Sequence, residues 1–296
     1  MNTLLNSDEV LEFVSTNYSF EDPPRTCDLI RRGFNDTYIV VTGQEKYIFR
    51  VYLNGKYYID SPEAFQFELD MLEYLRTQNV PVSYPIRMNN GDLLGWTPTD
   101  FGKRATALFS FAQGEEIIEE PATIEQVIKV GKTIAAFHLA ANDFSSKHER
   151  YHLNLKYLVD EPLRLLKEDN SEQSQELLAS LPPITELVDA VKTLSTDKDE
   201  YGIIHGDLHP GNMHFQGNHI TFFDFDHCGY GWRAYDLVPF YDAPDEYQTA
   251  LLKGYESVRP LSKGERDCLP TFIHLRMLWD EGDLLATAAL RAKPDS

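Results

Sequence analysis

A dense polar loop, closely followed by a segment that ends in acids, constrains the fold of this chain more than any other feature. The loop spans residues 205–212 (HGDLHPGN) and follows the apolar segment 202–204. Twelve positions beyond Asn212, the aromatic and β-branched segment 220–225 delivers Asp224 and then Asp226. A carboxylate at the end of a buried strand is costly unless it is paired or binds a cation. The spacing therefore predicts a hairpin that brings these acids to the polar loop.

The N-terminal and C-terminal parts of the chain differ in predicted secondary structure. Strand-like runs surround one long helix before residue 113, whereas helices predominate from residue 123 onward, apart from the central hairpin. The predicted elements are helix 10–18, strands 37–42 and 46–52, helix 61–77, strand 105–112, helix 123–142, helices within 153–194, β segments 202–204, 214–215 and 220–225, and helices from 234 onward. This order predicts an α+β fold with a small β-rich lobe (1–112), a larger helical lobe (113–296) and a hinge near 110–114.

Composition narrows the possible partners and compartment. The formal net charge of −20 argues against nucleic acid, because such binding depends largely on Lys and Arg neutralising phosphates. No apolar run approaches the roughly 18 residues of a membrane helix, and residues 1–20 carry no signal pattern. The cysteines, Cys27, Cys228 and Cys268, are far apart and lack a CxxC pair, which argues against a disulfide framework. We expect a cytoplasmic protein without a membrane partner; its oligomeric state is not predicted.

The polar loop has the parts that phosphoryl transfer needs. One carboxylate orients the attacking hydroxyl, while an Asn and a second Asp hold Mg²⁺ on the phosphates of ATP. The spacing from Asp207 to Asn212 matches the D-x-x-x-x-N of a kinase catalytic loop. The hairpin would deliver Asp224 to the same metal ion. This pattern predicts an ATP- and Mg²⁺-dependent kinase that phosphorylates a hydroxyl group of a small molecule.

These motifs resemble the aminoglycoside phosphotransferase and choline kinase-like superfamily, which includes type II homoserine kinases. The resemblance depends on HGDLHPGN (205–212), FFDFDHCGYG (222–231) and YDL (235–237). It implies a bilobal, protein-kinase-like fold and the use of MgATP. It also implies that Asp207 is the catalytic base and that Asn212 and Asp224 are metal ligands. The supporting residues that it implies are His205, His209 and Asp236, which hold the loop, and Asp226, which assists the metal.

The N-terminal lobe should supply the nucleotide site. Gly33 lies in a segment, 31–37, that resembles an abbreviated phosphate loop, although a lone glycine also fits an ordinary turn. Arg50 occupies the strand position where kinases carry a phosphate-binding Lys, and Glu68 is its natural partner. The backbone of Ser110 and Ala112 would hydrogen-bond adenine. His138, on an apolar helix, is expected to be a core residue.

Three other function classes fit parts of the pattern. A metal-dependent hydrolase could use His205, Asp207 and His209 with the acids of the hairpin and His227. An inactive pseudokinase is disfavoured because Asp207, Asn212 and Asp224 are all present. A Ser/Thr protein kinase is the stronger competitor, but only twelve residues separate Asp224 from Asp236 and no A-P-E motif occurs.

The phosphate acceptor is predicted only by chemical class. An amino alcohol, amino sugar or amino acid would suit the acidic chain, and acids recur in the helical segments after the hairpin. These acids are Asp242, Asp245, Glu246, Asp280, Glu281 and Asp283. They could bind an ammonium group, or they could be solvated helix faces of the ordinary kind.

Overall fold

The computed structural model describes residues 4–99, 102–116, 122–240 and 244–292. The N-terminal part is built on a six-stranded antiparallel sheet with the order β1-β2-β3-β6-β4, in which β5 also pairs with β6. Its strands are β1 (Thr26–Arg32), β2 (Asn35–Val41), β3 (Lys46–Tyr52), β4 (Pro85–Ile86), β5 (Gly95–Thr99) and β6 (Gly102–Ser110). β3 is therefore an interior strand, flanked by β2 and β6.

The two faces of β3 pack against different helices. Phe49 and Val51 point into a small apolar cluster beneath helix α1 (Ser7–Asn17). Tyr52, on the opposite face, stacks on Phe65 of helix α2 (Glu63–Thr77), with ring centroids 4.2 Å apart. Because side chains alternate along a strand, Arg50 shares the face of Tyr52 and points toward α2.

The C-terminal part is mainly helical. Its helices are α3 (Ile124–Ala140), α4 (Glu161–Asp169), α5 (Glu172–Ser180), α6 (Ile184–Val191), α7 (Asp245–Glu256) and α8 (Lys263–Ala292). A capping box between Thr123 and Gln126 starts α3. None of the helices within the described ranges is long and apolar enough to cross a membrane.

Two small sheets carry the polar loop. Their strands are β7 (Glu115–Glu116), β8 (His152–Leu153), β9 (Tyr201–Ile204), β10 (Met213–Gln216), β11 (His219–Phe222) and β12 (Gly229–Trp232). The sheet orders are β11-β10-β7 and β8-β12-β9. The loop 205–212 leads from β9 to β10, and segment 223–228 leads from β11 back to β12, the partner of β9. Both connections run between the same two sheets, so they lie side by side.

The α+β, two-lobed organisation is confirmed, but the sequence misses β1, β12 and the two-residue strands β7 and β8. β1 is an edge strand in which only Cys27 is buried, so it has no alternating pattern to detect. β12 has the sequence GYGW, whose glycines are typical of a turn. The helix predicted from residue 234 is a short 3₁₀ turn, Arg233–Leu237, and α7 begins only at Asp245. The lobe boundary after residue 112 stays a prediction.

Candidate active site

A buried aspartate fixes the start of the polar loop. Asp236 accepts hydrogen bonds from the backbone N–H groups of His205 (2.7 Å, at Oδ2) and Gly206 (3.0 Å, at Oδ1). His138, fully buried as expected, lies 3.1 Å from Asp236 Oδ2 through Nε2. Gly206 has φ +80°, and a Cβ there would lie 2.3 Å from the carbonyl oxygen of His227, so only glycine fits this bend.

The two loop histidines contact backbone groups. His205 Nε2 lies 3.0 Å from the carbonyl oxygen of Phe223, which links the loop to the neighbouring connection. His209 Nδ1 accepts a hydrogen bond from the N–H of Gly211 (3.1 Å). These contacts limit the conformations of the loop on both sides of Asp207.

Asp207 lies between a cation and an amide. Its Oδ1 accepts a hydrogen bond from Arg276 Nη2 (2.5 Å), and its Oδ2 accepts one from Asn212 Nδ2 (3.1 Å). His227 Nδ1 is 3.5 Å from the same Oδ2. Burial by itself raises the pKa of Asp207, but Arg276 and then His227 more than offset that effect, so the pKa lies below its usual value. The carboxylate is therefore charged at neutral pH and able to accept a hydrogen bond from a hydroxyl group.

Asn212 and Asp224 are brought together by backbone pairing. The carbonyl oxygen of Asn212 accepts a hydrogen bond from the N–H of Phe223 (3.0 Å), immediately before Asp224. Asp224 itself has a left-handed backbone conformation, with φ +63° and ψ +55°. Non-glycine residues in this region are uncommon and store strain, and such strain tends to occur at functional sites.

Arg50 bridges Glu68 and Asp224. Its Nη1 lies 2.6 Å from Glu68 Oε1, as expected, and its Nη2 lies 2.8 Å from Asp224 Oδ1. Tyr52 donates a further hydrogen bond to Glu68 Oε2 (3.0 Å). Burial raises the pKa of the Asp224 carboxyl above its usual value, while Arg50 acts in the opposite direction. The planar fork of Arg satisfies two carboxylates at once, which the single ammonium of Lys cannot do with the same geometry.

Asp226 lies in a different environment from Asp224, because its hydrogen-bond partners are Lys56 and Asn35. Its Oδ2 accepts hydrogen bonds from Lys56 Nζ (2.7 Å) and Asn35 Nδ2 (2.6 Å), and its side chain is 4% exposed. Burial raises the pKa of Asp226, but Lys56 and then His227 lower it well below its usual value. Asp226 is thus already neutralised by the N-terminal lobe.

A cavity of about 350 Å³ lies between the sheet and the two connections. The cavity is lined by Ile30, Arg31, Thr37, Ile48, Arg50, Leu72, Ser83, Phe109, Phe111, Ala112, Glu116, Gly211, Asn212, His214, Phe223, Asp224 and Phe225. Its walls are apolar toward residues 109–112 and charged toward Arg50 and Asp224. This division suits a flat apolar group at one end and an anion with a cation at the other.

The two remaining nucleotide-site candidates, Ser110 and Gly33, do not line this cavity themselves but lie close in sequence to lining residues, Ser110 between Phe109 and Phe111 and Gly33 two positions after Arg31. The carbonyl oxygen of Ser110 accepts a hydrogen bond from Ser83 Oγ (2.6 Å), which leaves one lone pair for another donor. Gly33 lies in the turn between β1 and β2, and its carbonyl oxygen accepts hydrogen bonds from Arg291 Nε (3.1 Å) and Nη2 (2.7 Å). The end of α8 therefore reaches the turn that resembles a phosphate loop.

The acids of the later helices divide into two groups. Asp280 is 39% exposed and contacts Arg276, whereas Asp283 is buried and lies 3.0 Å from His227 Nε2. Asp245 and Glu246 are exposed in the first turn of α7. Glu281 accepts a hydrogen bond from Gln173, and Asp242 lies outside the described residues. Among the acids of this set that the structure describes, Asp280 alone combines exposure with a link to the polar loop.

Several site residues could not be found from the sequence. Arg276, Lys56 and Arg291 carry no motif, and only the tertiary fold brings them to Asp207, Asp226 and Gly33. The sequence suggests a role for His227 only in the metal centre of the hydrolase alternative. Burial lowers its pKa, but Asp226, then Asp207 and Asp283, raise it well above the usual value, so it is a buried cation.

The geometry gives little support to a metal centre built from protein ligands alone. Across the described ranges, no group of three or more His, Cys, Asp or Glu side chains is arranged to hold a metal ion. Mg²⁺ in phosphoryl-transfer sites usually needs only one or two protein oxygens, because phosphates and water complete its shell. Asn212 and Asp224, which line the same cavity, fit that smaller requirement.

The fold and the site together define a phosphotransferase. The sequence model of the phosphotransferase enzyme family matches residues 27–262, and the chain belongs to this family. An uncharacterized protein of Deinococcus radiodurans is 33% identical over 287 residues, or 93% of this chain and 81% of that protein. The homoserine kinase of Brucella anthropi is 29% identical over 247 residues, or 80% of this chain and 71% of the kinase.

Solved structures show the same fold. Amicoumacin kinase hAmiN, in complex with AMP-PNP, Ca²⁺ and Ami, has a TM-score of 0.76 at 22% identity, covering 98% of this chain and 89% of that chain. The microcompartment-associated aminopropanol kinase has a TM-score of 0.71 at 24% identity, covering 95% and 94%. The expected family and the protein-kinase-like fold are therefore confirmed, as is the class of small-molecule kinase.

Proposed function

We propose that this protein transfers the γ-phosphoryl group of MgATP to a hydroxyl group of a small, positively charged molecule. The single observation that carries the proposal is that Asn212, Asp224 and Arg50 line the charged end of a cavity whose other wall is apolar, with Asp207 hydrogen-bonded to Asn212 and Arg50 to Asp224. In the reaction, the acceptor oxygen bonds to the γ-phosphorus, the bond to the β–γ bridging oxygen breaks, and the hydroxyl proton passes to Asp207.

The nucleotide would occupy the cavity with adenine near Ala112 and Ser110. Arg50, held by Glu68, would contact the phosphates, and the turn at Gly33 would cover them. A related structure supports ATP as the donor, since hAmiN was solved with the ATP analogue AMP-PNP. Asn212 and Asp224 would hold Mg²⁺, which would neutralise charge on the phosphates.

Asp207 would act as the base, held in place by its neighbours. Asp236 would brace the loop through two backbone N–H groups, and His205 and His209 would limit its motion. Asp226 would support the site through Lys56 and not as a direct metal ligand, because its Oδ2 already accepts two hydrogen bonds.

A cationic acceptor is favoured by the exposed acid beside Asp207. Asp280 is partly exposed and joined to Asp207 through Arg276, so an ammonium group could bind it while a hydroxyl reaches the base. Relatives named for aminopropanol and homoserine are consistent with such an acceptor. Asp283 does not contribute, because His227 pairs with it in the interior.

A protein substrate fits this site poorly. In protein kinases, the segment after the metal-binding Asp supplies the platform for a peptide. Here nearly all of residues 225–240 are buried, and they form a 3₁₀ turn, β12 and a second 3₁₀ turn. Little exposed backbone is left to bind an extended peptide.

The test is a screen for phosphorylated products. ADP release would be coupled to a spectroscopic signal in the presence of aminopropanol, homoserine, choline and glucosamine, with glycerol and glycolate as neutral and anionic comparisons. We expect a cationic alcohol to be phosphorylated by the wild type, with the ester detected by mass spectrometry. Failure of every hydroxyl compound, or phosphorylation by Asp207→Asn at the wild-type rate, would refute the proposed function.

A further inference from the structure

Arg276 connects the proposed base to helix α8. Its side chain is 4% exposed, and its guanidinium makes three sets of contacts. Nη2 donates to Asp207 Oδ1 (2.5 Å), and Nη1 donates to the carbonyl oxygen of Leu208 (3.1 Å). Nε donates to Asp280, at 3.0 Å from Oδ2 and 3.1 Å from Oδ1. One rigid group thus contacts the base, the backbone next to it, and an acid on its own helix.

These contacts restrict the orientation of the Asp207 carboxylate. A free aspartate can rotate about its side-chain bonds and present either oxygen. Here Arg276 occupies Oδ1, while Asn212 contacts Oδ2, so the carboxylate is held from two sides by different elements. Oδ2 is hydrogen-bonded to Asn212, which lines the cavity, whereas Oδ1 is bonded to Arg276 of α8, which does not line it; we therefore take Oδ2 as the oxygen that meets the acceptor.

We propose that Arg276 is a positioning residue that holds Asp207 so that Oδ2 receives the acceptor hydroxyl. This inference depends on the proposed function, because Arg276 can position a catalytic base only if Asp207 is that base. Asp280 orients the guanidinium from the opposite side and offsets part of its charge. A displacement of about 1 Å at a reacting group can cost about 10²-fold in rate, so the loss of this support should be visible in kcat.

The contact pattern explains why Lys would not replace Arg here. Lysine carries a single ammonium group, which cannot reach Asp207, the Leu208 carbonyl and Asp280 with the geometry of a planar fork. Arg276→Lys keeps the charge and most of the volume, so it separates charge from orientation. Arg276→Ala removes both and leaves a gap that free guanidinium could enter.

A matched control is available on the same helix. Arg266 is about half exposed and pairs with Glu256, at a surface position of α8 without a contact to the polar loop among the described residues. Arg266→Ala removes an arginine from α8 without touching Asp207. Its kinetics should equal those of the wild type, because exposed ion pairs contribute only about 0–1 kcal/mol.

The experiment measures kcat and the KM of the best acceptor in the panel above, together with MgATP affinity by calorimetry. We expect Arg276→Ala to lower kcat by about 10²-fold while MgATP affinity stays within about twofold of the wild type. Arg276→Lys should lose at least about tenfold in kcat although it keeps the charge. Guanidinium ion, below denaturing concentration, should restore part of the kcat of Arg276→Ala and leave Arg266→Ala unchanged.

A second comparison tests the part played by Asp280. If Asp280 acts through Arg276, adding Asp280→Asn to Arg276→Ala should lower kcat no further, because the two effects are not independent. A wild-type kcat in Arg276→Lys would overturn the proposal, as would equal losses of kcat and MgATP affinity, or no rescue by guanidinium. An inactive wild type would instead refute the proposed function, so the two failures are distinguishable.

Discussion

Replacing Arg50 should separate a structural effect from a ligand-binding effect. Arg50 Nη1 is 2.6 Å from Glu68, whose side chain is fully buried, and Arg50 Nη2 is 2.8 Å from Asp224, whose side chain is 33% exposed. Arg50→Ala leaves Glu68 buried without its cation, and breaking such a pair costs about 3–5 kcal/mol. The lost contact to Asp224, which is better solvated, should add less to this loss of unfolding free energy.

The same substitution should weaken ATP more than adenosine. A charge-assisted hydrogen bond contributes about 1.5–3 kcal/mol, which corresponds to roughly ten- to hundredfold in affinity. Only ATP presents phosphates to Arg50, so adenosine should lose little. The double variant Arg50→Ala with Glu68→Gln removes the unpaired buried charge, and it should recover stability without recovering ATP affinity.

Chemical denaturation and calorimetry would measure the two effects. Arg87→Ala is the control for stability, because the Arg87–Glu73 pair is exposed and should contribute only about 0–1 kcal/mol. Equal losses of affinity for ATP and adenosine would refute a phosphate-binding role for Arg50. A double variant that regained ATP affinity together with stability would refute it too, because packing alone would then explain the defect.

Three further predictions address the metal, the loop support and the acceptor. Asp224→Ala should abolish Mg²⁺-dependent ATP binding in calorimetry, because it removes a charged oxygen ligand; unchanged MgATP affinity would contradict this. Burial lowers the pKa of His138 to about 4, so the unfolded chain takes up a proton first, and stability falls as pH drops from about 6.5 toward 4. Between about pH 7 and about pH 5, the unfolding free energy of the wild type should therefore fall by about 2 kcal/mol more than that of His138→Gln. Equal falls in the two proteins would contradict a buried, neutral His138. Added salt should raise the KM of a cationic acceptor, since screening acts within about 8–10 Å, and Asp280→Asn should do so at low salt. Replacing the exposed Asp245 and Glu246 on α7 should leave the KM of the acceptor unchanged. A rise in KM as large as that caused by Asp280→Asn would refute a local acceptor site at Asp280.

The sequence predicts the part of the site that lies in short motifs. Asp207, Asn212 and Asp224 are close in sequence and are joined by a hairpin, so their meeting follows from local structure. The pairing of Arg50 with Glu68 also follows, because β3 and α2 are consecutive elements and the side chains of β3 alternate.

The groups that orient these residues could not be predicted in the same way. Arg276 is one of several charged residues along α8, and sequence spacing alone does not show that it is buried against Asp207 while Arg266 is exposed. The pairing of His227 with Asp283 joins residues 56 positions apart. Such contacts depend on how helices pack, and one sequence does not specify that packing.

The central claim is that Asp207 accepts the proton of an acceptor hydroxyl during phosphoryl transfer. The most direct measurement is the single-turnover transfer of labelled γ-phosphate from MgATP to the best acceptor, comparing the wild type with Asp207→Asn. We predict that the rate of phosphoester formation falls by about 10²-fold or more, while MgATP affinity is retained. A transfer rate equal to that of the wild type in Asp207→Asn would contradict the claim.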